Sequence, residues 1–542
     1  MSLDNLTNLA VANAQTFARS YAGNSDNRES TITSFFWSQT SSSAWTTALV
    51  IIASLLILEQ SVYKLKKRHL PGPSWTIPVI GRFADSLNPT MEVYKKGWEV
   101  PLSAVSVFNI FIVMASENKY TRKILNSPSY TEPCLVASAK QVLLKENWVF
   151  LNGKVHSEYR KGLNCLFTRK ALGLYLETQE RIYKATFEKW LADPSEKARP
   201  MQMAFRDLNM ETSLRVFCGD YIPDSGAQEI SDKYWLITQA LELVNFPLAL
   251  PGTKVYKAIQ ARKSAMTWLE HASAQSKLRM SAGGEPNCLV DRWIKEMLVA
   301  KKYADTSEQG EGDEAGSRPM LIREYSDHEI AMVVLSFLFA SQDAMTSSIT
   351  FGFQYLADYP QVLSKVREEQ YRIRNNDVTA PLTLDLIDQM PYTRAVVKEV
   401  LRIRPPVIMV PYATTKAFPI SDDYTVPAGT MCIPSFWNSL HDPSVYPEPD
   451  EFLPERWLEG GSAIGEGSSP KNYLVFGSGP HRCIGQEYAQ LHMTAVFGTA
   501  SVLMNWQHEL TPESDKIKII ATIFPQDECR LKFTARPAPG RD

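Results

Sequence analysis

The chain has 542 residues, of which 44% are hydrophobic and 21% charged, and its length suits either several domains or one large enzymatic domain. Its formal net charge of −2 at pH 7 argues against nucleic acid as the main partner. The seven cysteines are an odd number without a C-x-x-C pair, which fits a reducing compartment and argues against a disulfide framework or a structural zinc site.

The first element in chain order is an apolar segment near the N-terminus. Residues 1–43 are polar and rich in Ser, Thr and Asn, whereas residues 44–63 read A-W-T-T-A-L-V-I-I-A-S-L-L-I-L-E-Q-S-V-Y. A helix of about 20 residues spans about 30 Å, enough to cross a bilayer. The basic cluster at 64–68 favours the cytosolic side, and a cleaved signal peptide would carry its basic residues before the apolar run. We expect a lumenal tail, one transmembrane anchor at 44–63 and a cytosolic catalytic domain, with a buried amphipathic helix as the alternative.

The anchor is followed by a hinge and one long domain. Residues 64–73 are basic and end in L-P-G-P, a stiff sequence that interrupts a helix. Residues 74–542 show mostly helical periodicity, with short β-like pieces at 104–115 and 424–432. This pattern predicts a mainly α domain with small β-sheets.

A long buried helix is predicted after the motif S-D-H-E at 326–329, which has the form of a capping box. Residues 330–340 are apolar all round and are expected to be buried. Asp343 follows in the same helix, and a buried carboxylate is costly unless it has partners or a task. Thr346 and Ser347 lie on its face at i+3 and i+4, so the three residues are candidates for a proton relay. The alternative is an Asp satisfied by neighbouring hydroxyls.

Residues 476–485 read F-G-S-G-P-H-R-C-I-G, a glycine-rich loop before a helix-like run. The thiol of Cys483, at a helix start and next to Arg482, is expected to be poised as a thiolate. The glycines let a flat cofactor approach closely, and thiolate ligation is one of the few ways a protein holds haem. An arbitrary intracellular Cys is usually a small buried hydrophobe, but the composite spacing around Cys483 is much rarer.

With Phe seven residues before Cys483, Gly four before and Gly two after, this loop resembles the haem-binding loop of the cytochrome P450 superfamily. The resemblance implies the mainly α cytochrome P450 fold with small β-sheets, preceded by the transmembrane helix. It also implies haem b with its iron bound axially by the Cys483 thiolate. Phe476 and Gly479 are then expected to contact the cofactor.

The resemblance also implies where the helix of Asp343 lies, because in this superfamily that helix crosses the haem face where oxygen binds. Its acid is usually followed directly by Thr, whereas Ala344 stands there in this chain. The usual hydroxyl is therefore missing. We expect protons to travel through Asp343, Thr346, Ser347 or water.

The run G-K-V-H-S-E-Y-R at 153–160 resembles the superfamily helix whose Trp and Arg hold a haem propionate. His156 occupies the Trp position, and Arg160 keeps the Arg, whose fork of donors suits a carboxylate. His481 stands where Arg is commoner and resembles a further propionate donor. The alternative for each is an ordinary surface or core residue.

The pair Glu399/Arg402 is a weak signal alone, because i,i+3 ion pairs are common and contribute little at a surface. The motif P-E-R-W at 454–457 and the Cys483 loop follow in the order typical of the superfamily. This order implies a buried structural cluster of Glu399, Arg402 and Arg456 beneath the haem loop.

Segments 147–156, 337–344, 401–412 and 476–485 together resemble fungal sterol C-22 desaturases, which introduce the side-chain double bond of ergosterol. The resemblance implies a sterol substrate, O2 and electrons from NADPH through NADPH-cytochrome P450 reductase, with cytochrome b5 as a further partner. It also implies a single-pass protein of the endoplasmic reticulum membrane. Azole-type inhibitors would then ligate its haem iron. The alternatives are another sterol or lipid P450 monooxygenase (a hydroxylase or 14α-demethylase), a haem carrier or redox sensor without turnover, and a membrane scaffold without a cofactor.

Overall fold

The computed structural model describes residues 29–81, 90–134, 138–193, 197–241, 248–308, 323–463 and 471–537. The chain divides into two compact units, residues 1–65 and residues 66–542. The described part of the first unit belongs to helix α1, Glu29–Lys67, whose last two residues are counted with the second unit.

Within α1, the segment Trp45–Lys67 has the length and composition of a membrane-spanning helix, and almost none of it is buried. The sequence predicted an anchor at 44–63. The helix begins earlier and continues through Lys67, so the three lysines assigned to the hinge are helical, whereas Arg68 lies in the turn that follows. Of the tail predicted at 1–43, residues 29–43 are helical and residues 1–28 lie outside the described part of the chain.

The second unit is mainly helical. Its helices are α2 (Met91–Gly97), α3 (Asn118–Leu125), α4 (Ala139–Val142), α5 (Gly153–Leu163), α6 (Arg169–Leu191), α7 (Gln202–Cys218), α8 (Asp224–Gln239), α9 (Lys254–Ser281), α10 (Leu289–Glu308), α11 (Asp327–Asp358), α12 (Pro360–Ile373), α13 (Leu384–Asp388), α14 (Pro391–Ile403), α15 (Trp437–Leu440) and α16 (Gln486–Leu503).

Short strands form four small sheets. The strands are β1 (Leu102–Val107), β2 (Ile110–Ala115), β3 (Thr131–Pro133), β4 (Arg199–Pro200), β5 (Tyr412–Thr414), β6 (Phe418–Pro419), β7 (Thr425–Val426), β8 (Met431–Pro434), β9 (Met504–His508), β10 (Ile517–Ile519), β11 (Ile523–Pro525) and β12 (Arg530–Ala535). The largest sheet has the order β1-β2-β8-β5-β3, in which only β2 and β8 are parallel, with Val113 opposite Cys432. The other sheets are β4-β12-β9, β10-β11 and β6-β7.

Helix α11 forms the centre of the core. Ser326 caps it in a full capping box with Glu329, as the sequence predicted, and residues 330–338 are all buried. Helices α7, α9, α14 and α16 pack against it. The contact with α16 depends on Gly352, because a Cβ atom there would lie 2.1 Å from the ring of Phe497. The apolar length of α11 is therefore explained by burial inside the protein.

The predicted mainly α architecture with small sheets is confirmed. Residues 104–115 form the predicted β-structure as the β1-β2 hairpin, whose two-residue turn places Phe108 and Asn109 at positive φ. The stretch 424–432 contains β7 and the start of β8.

Candidate functional site

The loop at 476–485 is shaped by its own main chain before α16 begins. The Cys483 N–H donates to the carbonyl of Phe476 at 2.9 Å, which closes the loop on itself. Gly479 has a φ of +74°, and a Cβ atom there would lie 2.3 Å from the carbonyl oxygen of Leu125 at the end of α3. Only glycine allows this approach, so Gly479 fixes where the loop sits against α3.

The thiol of Cys483 lies in a recess. The residue is exposed, yet it is surrounded by enough protein that burial raises the pKa of its thiol above the ordinary value. The Gly485 N–H and the charges of Arg160 and Arg482 act in the opposite direction but do not overcome burial. The sequence predicted a thiolate poised by the helix start. Burial thus opposes the thiolate in this recess, and a bound metal ion is the kind of positive partner that would stabilise it.

Two histidines and an arginine surround this recess. The rings of His156 in α5 and His481 in the loop stack with centroids 4.0 Å apart. Burial, followed by the charge of Arg160, lowers the pKa of His156; burial, His156 and Arg160 lower the pKa of His481 to about 4. Both imidazoles are neutral at pH 7, and each retains one N–H donor.

None of the described residues accepts a side-chain hydrogen bond from Arg160, His156 or His481. The structure thus brings three unpaired donors together beside a recessed thiol. Haem has an iron that a thiolate binds and two carboxylates that need such donors. These residues fit haem by the chemistry of their donor set.

Helix α11 is open on one side. Between positions 330 and 354 every residue is buried except Ala340, which is exposed, and Phe339, Ser341 and Ala344, which are half-buried. We call these four residues the open side of α11. Ala340 and Ala344 are one turn apart and present only methyl groups.

Asp343 is buried beside this open side. The residue is 5% exposed, and its carboxylate pairs with Arg206 of α7 and accepts a 2.8 Å hydrogen bond from Thr238 of α8. The guanidinium of Arg206 also lies 4.7 Å from the ring centroid of Trp235. A carboxylate this deep requires a cation and further hydrogen bonds, which Arg206 and Thr238 provide.

The hydroxyls predicted to relay protons from Asp343 have other partners. Thr346 donates to the carbonyl of Gln342 at 2.6 Å, and Ser347 donates to the carbonyl of Ile523 at 2.5 Å. Hydroxyls in a helix satisfy themselves with main-chain carbonyls when these are within reach. The structure therefore does not join Asp343 to Thr346 or Ser347 by a hydrogen bond.

Thr346 belongs instead to a buried network that the sequence did not reveal. Asn209 Nδ2 donates to Thr346 Oγ1 at 3.1 Å, and Asn209 Oδ1 lies 3.1 Å from His492 Nε2. Since this amide oxygen must accept, the imidazole carries its proton on Nε2, and Nδ1 accepts from Tyr183 at 2.8 Å. Burial lowers the pKa of His492 to about 3, so the ring stays neutral.

The predicted ionic cluster is confirmed. Glu399 pairs with Arg402 at 2.8 Å and with Arg456 at 3.0 Å, and all three side chains are buried. Trp457 Nε1 donates to the same carboxylate at 2.8 Å. The remaining guanidinium donors reach main-chain carbonyls, so the cluster is saturated and has a structural role.

Residues 98–533 match the family model "Cytochrome P450". A C-22 sterol desaturase of Gibberella zeae is 46% identical, covering 91% of this chain and 92% of the relative, and one of Aspergillus fumigatus is 46% identical, covering 89% and 93%. A cytochrome P450 monooxygenase of Emericella variicolor is 42% identical, covering 91% and 93%. Among solved structures, retinoic-acid-bound cyanobacterial CYP120A1 aligns with a TM-score of 0.71 at 21% identity, covering 86% of this chain and 100% of the other, a likeness of fold.

Proposed function

The chain belongs to the cytochrome P450 family, and we propose that it introduces the C-22/C-23 double bond into the side chain of a sterol on the route to ergosterol. The observation that carries this proposal is the similarity, over about nine-tenths of the chain, to C-22 sterol desaturases of several fungi. The Emericella variicolor relative is named only a monooxygenase. The second candidate is therefore another sterol or lipid P450 monooxygenase, either a hydroxylase or a 14α-demethylase.

The proposed reaction balances with O2 and NADPH as co-reactants. The sterol loses one hydrogen atom from C-22 and one from C-23, and a carbon–carbon double bond forms. NADPH supplies two electrons through a reductase, and two protons enter besides the two hydrogens of the sterol. O2 takes up all four electrons and leaves as two molecules of water.

Haem is the cofactor we propose, held by this chain's own donor set. Cys483 Sγ would bind the iron, and Arg160, His156 and His481 would donate to the propionates, with Phe476 and Gly479 shaping the loop. When bound, haem supplies the redox chemistry that activates O2. The neutral histidines hold the carboxylates through N–H donors, while Arg160 provides the positive charge.

We assign proton supply to Asp343 on the distal helix α11. Arg206 and Thr238 hold its carboxylate, so its two oxygens have fixed positions. Because Thr346 and Ser347 donate to main-chain carbonyls, we assign the passage of protons between Asp343 and the open side of α11 to water. Thr346 is a positioning residue in this proposal, since its hydroxyl ties α11 to Asn209.

The proposed setting is the endoplasmic reticulum membrane. The segment Trp45–Lys67 supports a single-pass anchor, with the catalytic unit in the cytosol. The electron donors are NADPH-cytochrome P450 reductase and cytochrome b5, which we place on the side of the Cys483 loop that carries Arg482. Azole-type compounds are expected to ligate the haem iron.

Product analysis tests the proposed function. The purified full-length protein is incubated with reductase, NADPH and a single sterol lacking the C-22 double bond, and the products are identified by mass spectrometry. A C-22 alkene is expected, in amounts that depend on NADPH. Only hydroxylated or demethylated sterol would establish the second candidate, and a haem-loaded protein without NADPH-dependent product would indicate a carrier or sensor.

A further inference from the structure

Helices α7 and α11 are fastened to each other over one turn of each helix. Arg206 and Asn209 lie one turn apart on α7. Their partners on α11, Asp343 and Thr346, also lie one turn apart. In addition, Gln342 Nε2 donates to the Arg206 carbonyl at 2.6 Å. All five side chains are buried, so these contacts are out of reach of bulk water. The turn of α11 that carries Asp343 is therefore held directly against α7.

Asn209 also continues this contact to a third helix. Its amide oxygen accepts from His492 Nε2 at 3.1 Å, and His492 lies in α16, the helix that begins three residues after Cys483. Tyr183 of α6 donates to the other ring nitrogen of His492 at 2.8 Å. The donors therefore all point the same way, from Tyr183 on α6 to Thr346 on α11.

We propose that Asn209 and His492 are positioning residues for proton supply, an inference that rests on the role proposed for Asp343. They join the turn of α11 that carries this carboxylate to α16, which directly follows the Cys483 loop. Neither residue contacts a reacting atom. The link at position 492 needs one donor and one acceptor on a rigid frame, and a neutral imidazole provides both.

The position of Asp343 affects the fate of the electrons that NADPH supplies. Because Asp343 and Thr346 share one helical turn, releasing Thr346 lets that turn shift, and a misplacement of about 1 Å can cost about a hundredfold in rate. When protons are misplaced, O2 takes two electrons from NADPH and two protons and leaves as hydrogen peroxide, with the sterol unchanged. The ratio of hydrogen peroxide to oxidised sterol therefore reports on the positioning of Asp343.

The matched pair Asn209→Leu and Asn147→Leu tests the proposal. Asn147 is also a buried asparagine bonded to an α11 hydroxyl, since its amide oxygen accepts from Ser336 at 2.8 Å, two turns before Asp343. Both replacements remove buried hydrogen bonds, and both are expected to lower the urea midpoint. Only Asn209→Leu is expected to raise the ratio of hydrogen peroxide to oxidised sterol, by about fivefold, which corresponds to about 1 kcal/mol.

Milder variants break the same link from its two ends. His492→Leu leaves the contact between Asn209 and Thr346 in place and is expected to raise the ratio as Asn209→Leu does. Thr346→Val keeps the shape of the side chain but removes the acceptor of the Asn209 amide, whereas Thr346→Ser keeps the hydroxyl. Thr346→Val is expected to raise the ratio, and Thr346→Ser to stay close to the wild type. The double variant Asn209→Leu/Thr346→Val is expected to add little, because both changes break one contact.

Equal ratios for Asn209→Leu and Asn147→Leu would overturn the positioning role, as would a ratio for His492→Leu that equals that of the wild type. The carbon monoxide spectrum of each variant is recorded first, so that only protein with the Cys483 thiolate on the iron is compared. The ratio counts any oxidised sterol. A wild type that forms an alcohol or a demethylated sterol in place of the C-22 alkene would therefore overturn the proposed desaturation alone.

Discussion

Replacing Arg206 with Met is expected to destabilise the folded protein by about 3–5 kcal/mol, because it leaves a charged carboxylate buried without a cation. Arg206 and Asp343 are 4% and 5% exposed, so water does not reach the stranded charge. Thr238 alone would remain as a partner of Asp343. Methionine keeps much of the volume of the arginine stem, which limits the loss of packing against Trp235.

The double variant Arg206→Met/Asp343→Leu distinguishes loss of the ion pair from loss of packing. A buried pair replaced by apolar residues of similar size costs little, so the double variant is expected within about 1 kcal/mol of the wild type. Free energies of unfolding are compared by urea titration at equal haem content. If the double variant loses as much stability as Arg206→Met and Asp343→Leu lose together, the stranded charge is not the cause.

Arg262→Met provides the matched control. Arg262 is also buried, and no described residue forms an ion pair with it. Its replacement strands no carboxylate and is expected to cost clearly less than Arg206→Met.

The double variant Arg206→Met/Asp343→Leu also tests the supply of protons. If it is about as stable as the wild type and turns over the sterol at an unchanged rate, Asp343 is not the source of protons.

Three further predictions concern Cys483, Glu399 and His492. Cys483→Ser is expected to abolish the thiolate-type carbon monoxide spectrum, and a retained spectrum would contradict the axial role of Cys483. Glu399→Gln is expected to destabilise the protein by about 3–5 kcal/mol, since two buried arginines lose their anion; an unchanged urea midpoint would show that the carbonyl contacts suffice. His492 has a pKa lowered to about 3, so its contribution to stability is present above about pH 6.5 and is lost as the pH falls, by about 1.4 kcal/mol per unit. His492→Gln is expected to reduce the slope of stability against pH between 6 and 4 by this amount, and an identical slope would contradict the burial of a neutral ring.

Local patterns predicted much of this protein. The capping box at Ser326, the i,i+3 pair of Glu399 and Arg402, and the glycine loop around Cys483 each depend on neighbours close in sequence. Their side chains interact with the turn in which they lie, so the spacing of residue types carries the information.

The partners of the distal helix could not be predicted in this way. Arg206 is 137 positions from Asp343, and His492 is 283 positions from Asn209. Each lies on a helix of mixed composition whose buried side is set by which helices pack against it. The rule for i+3 and i+4 neighbours made Thr346 and Ser347 candidates for contact with Asp343, but it could not show that their hydroxyls bond to carbonyls.

The peptide groups of one residue, Ile523 of β11, join two other segments of the chain. The Ile523 N–H donates to the carbonyl of Pro406 at 3.2 Å, and its carbonyl accepts from Ser347. Three chain segments far apart in sequence thus meet at Ile523, which contributes only main-chain atoms to the two bonds. The side chains of Ile520 and Ala521 in the adjoining turn take no part in these two bonds. Substitutions there are therefore expected to leave the attachment of the β10-β11 sheet to α11 unchanged.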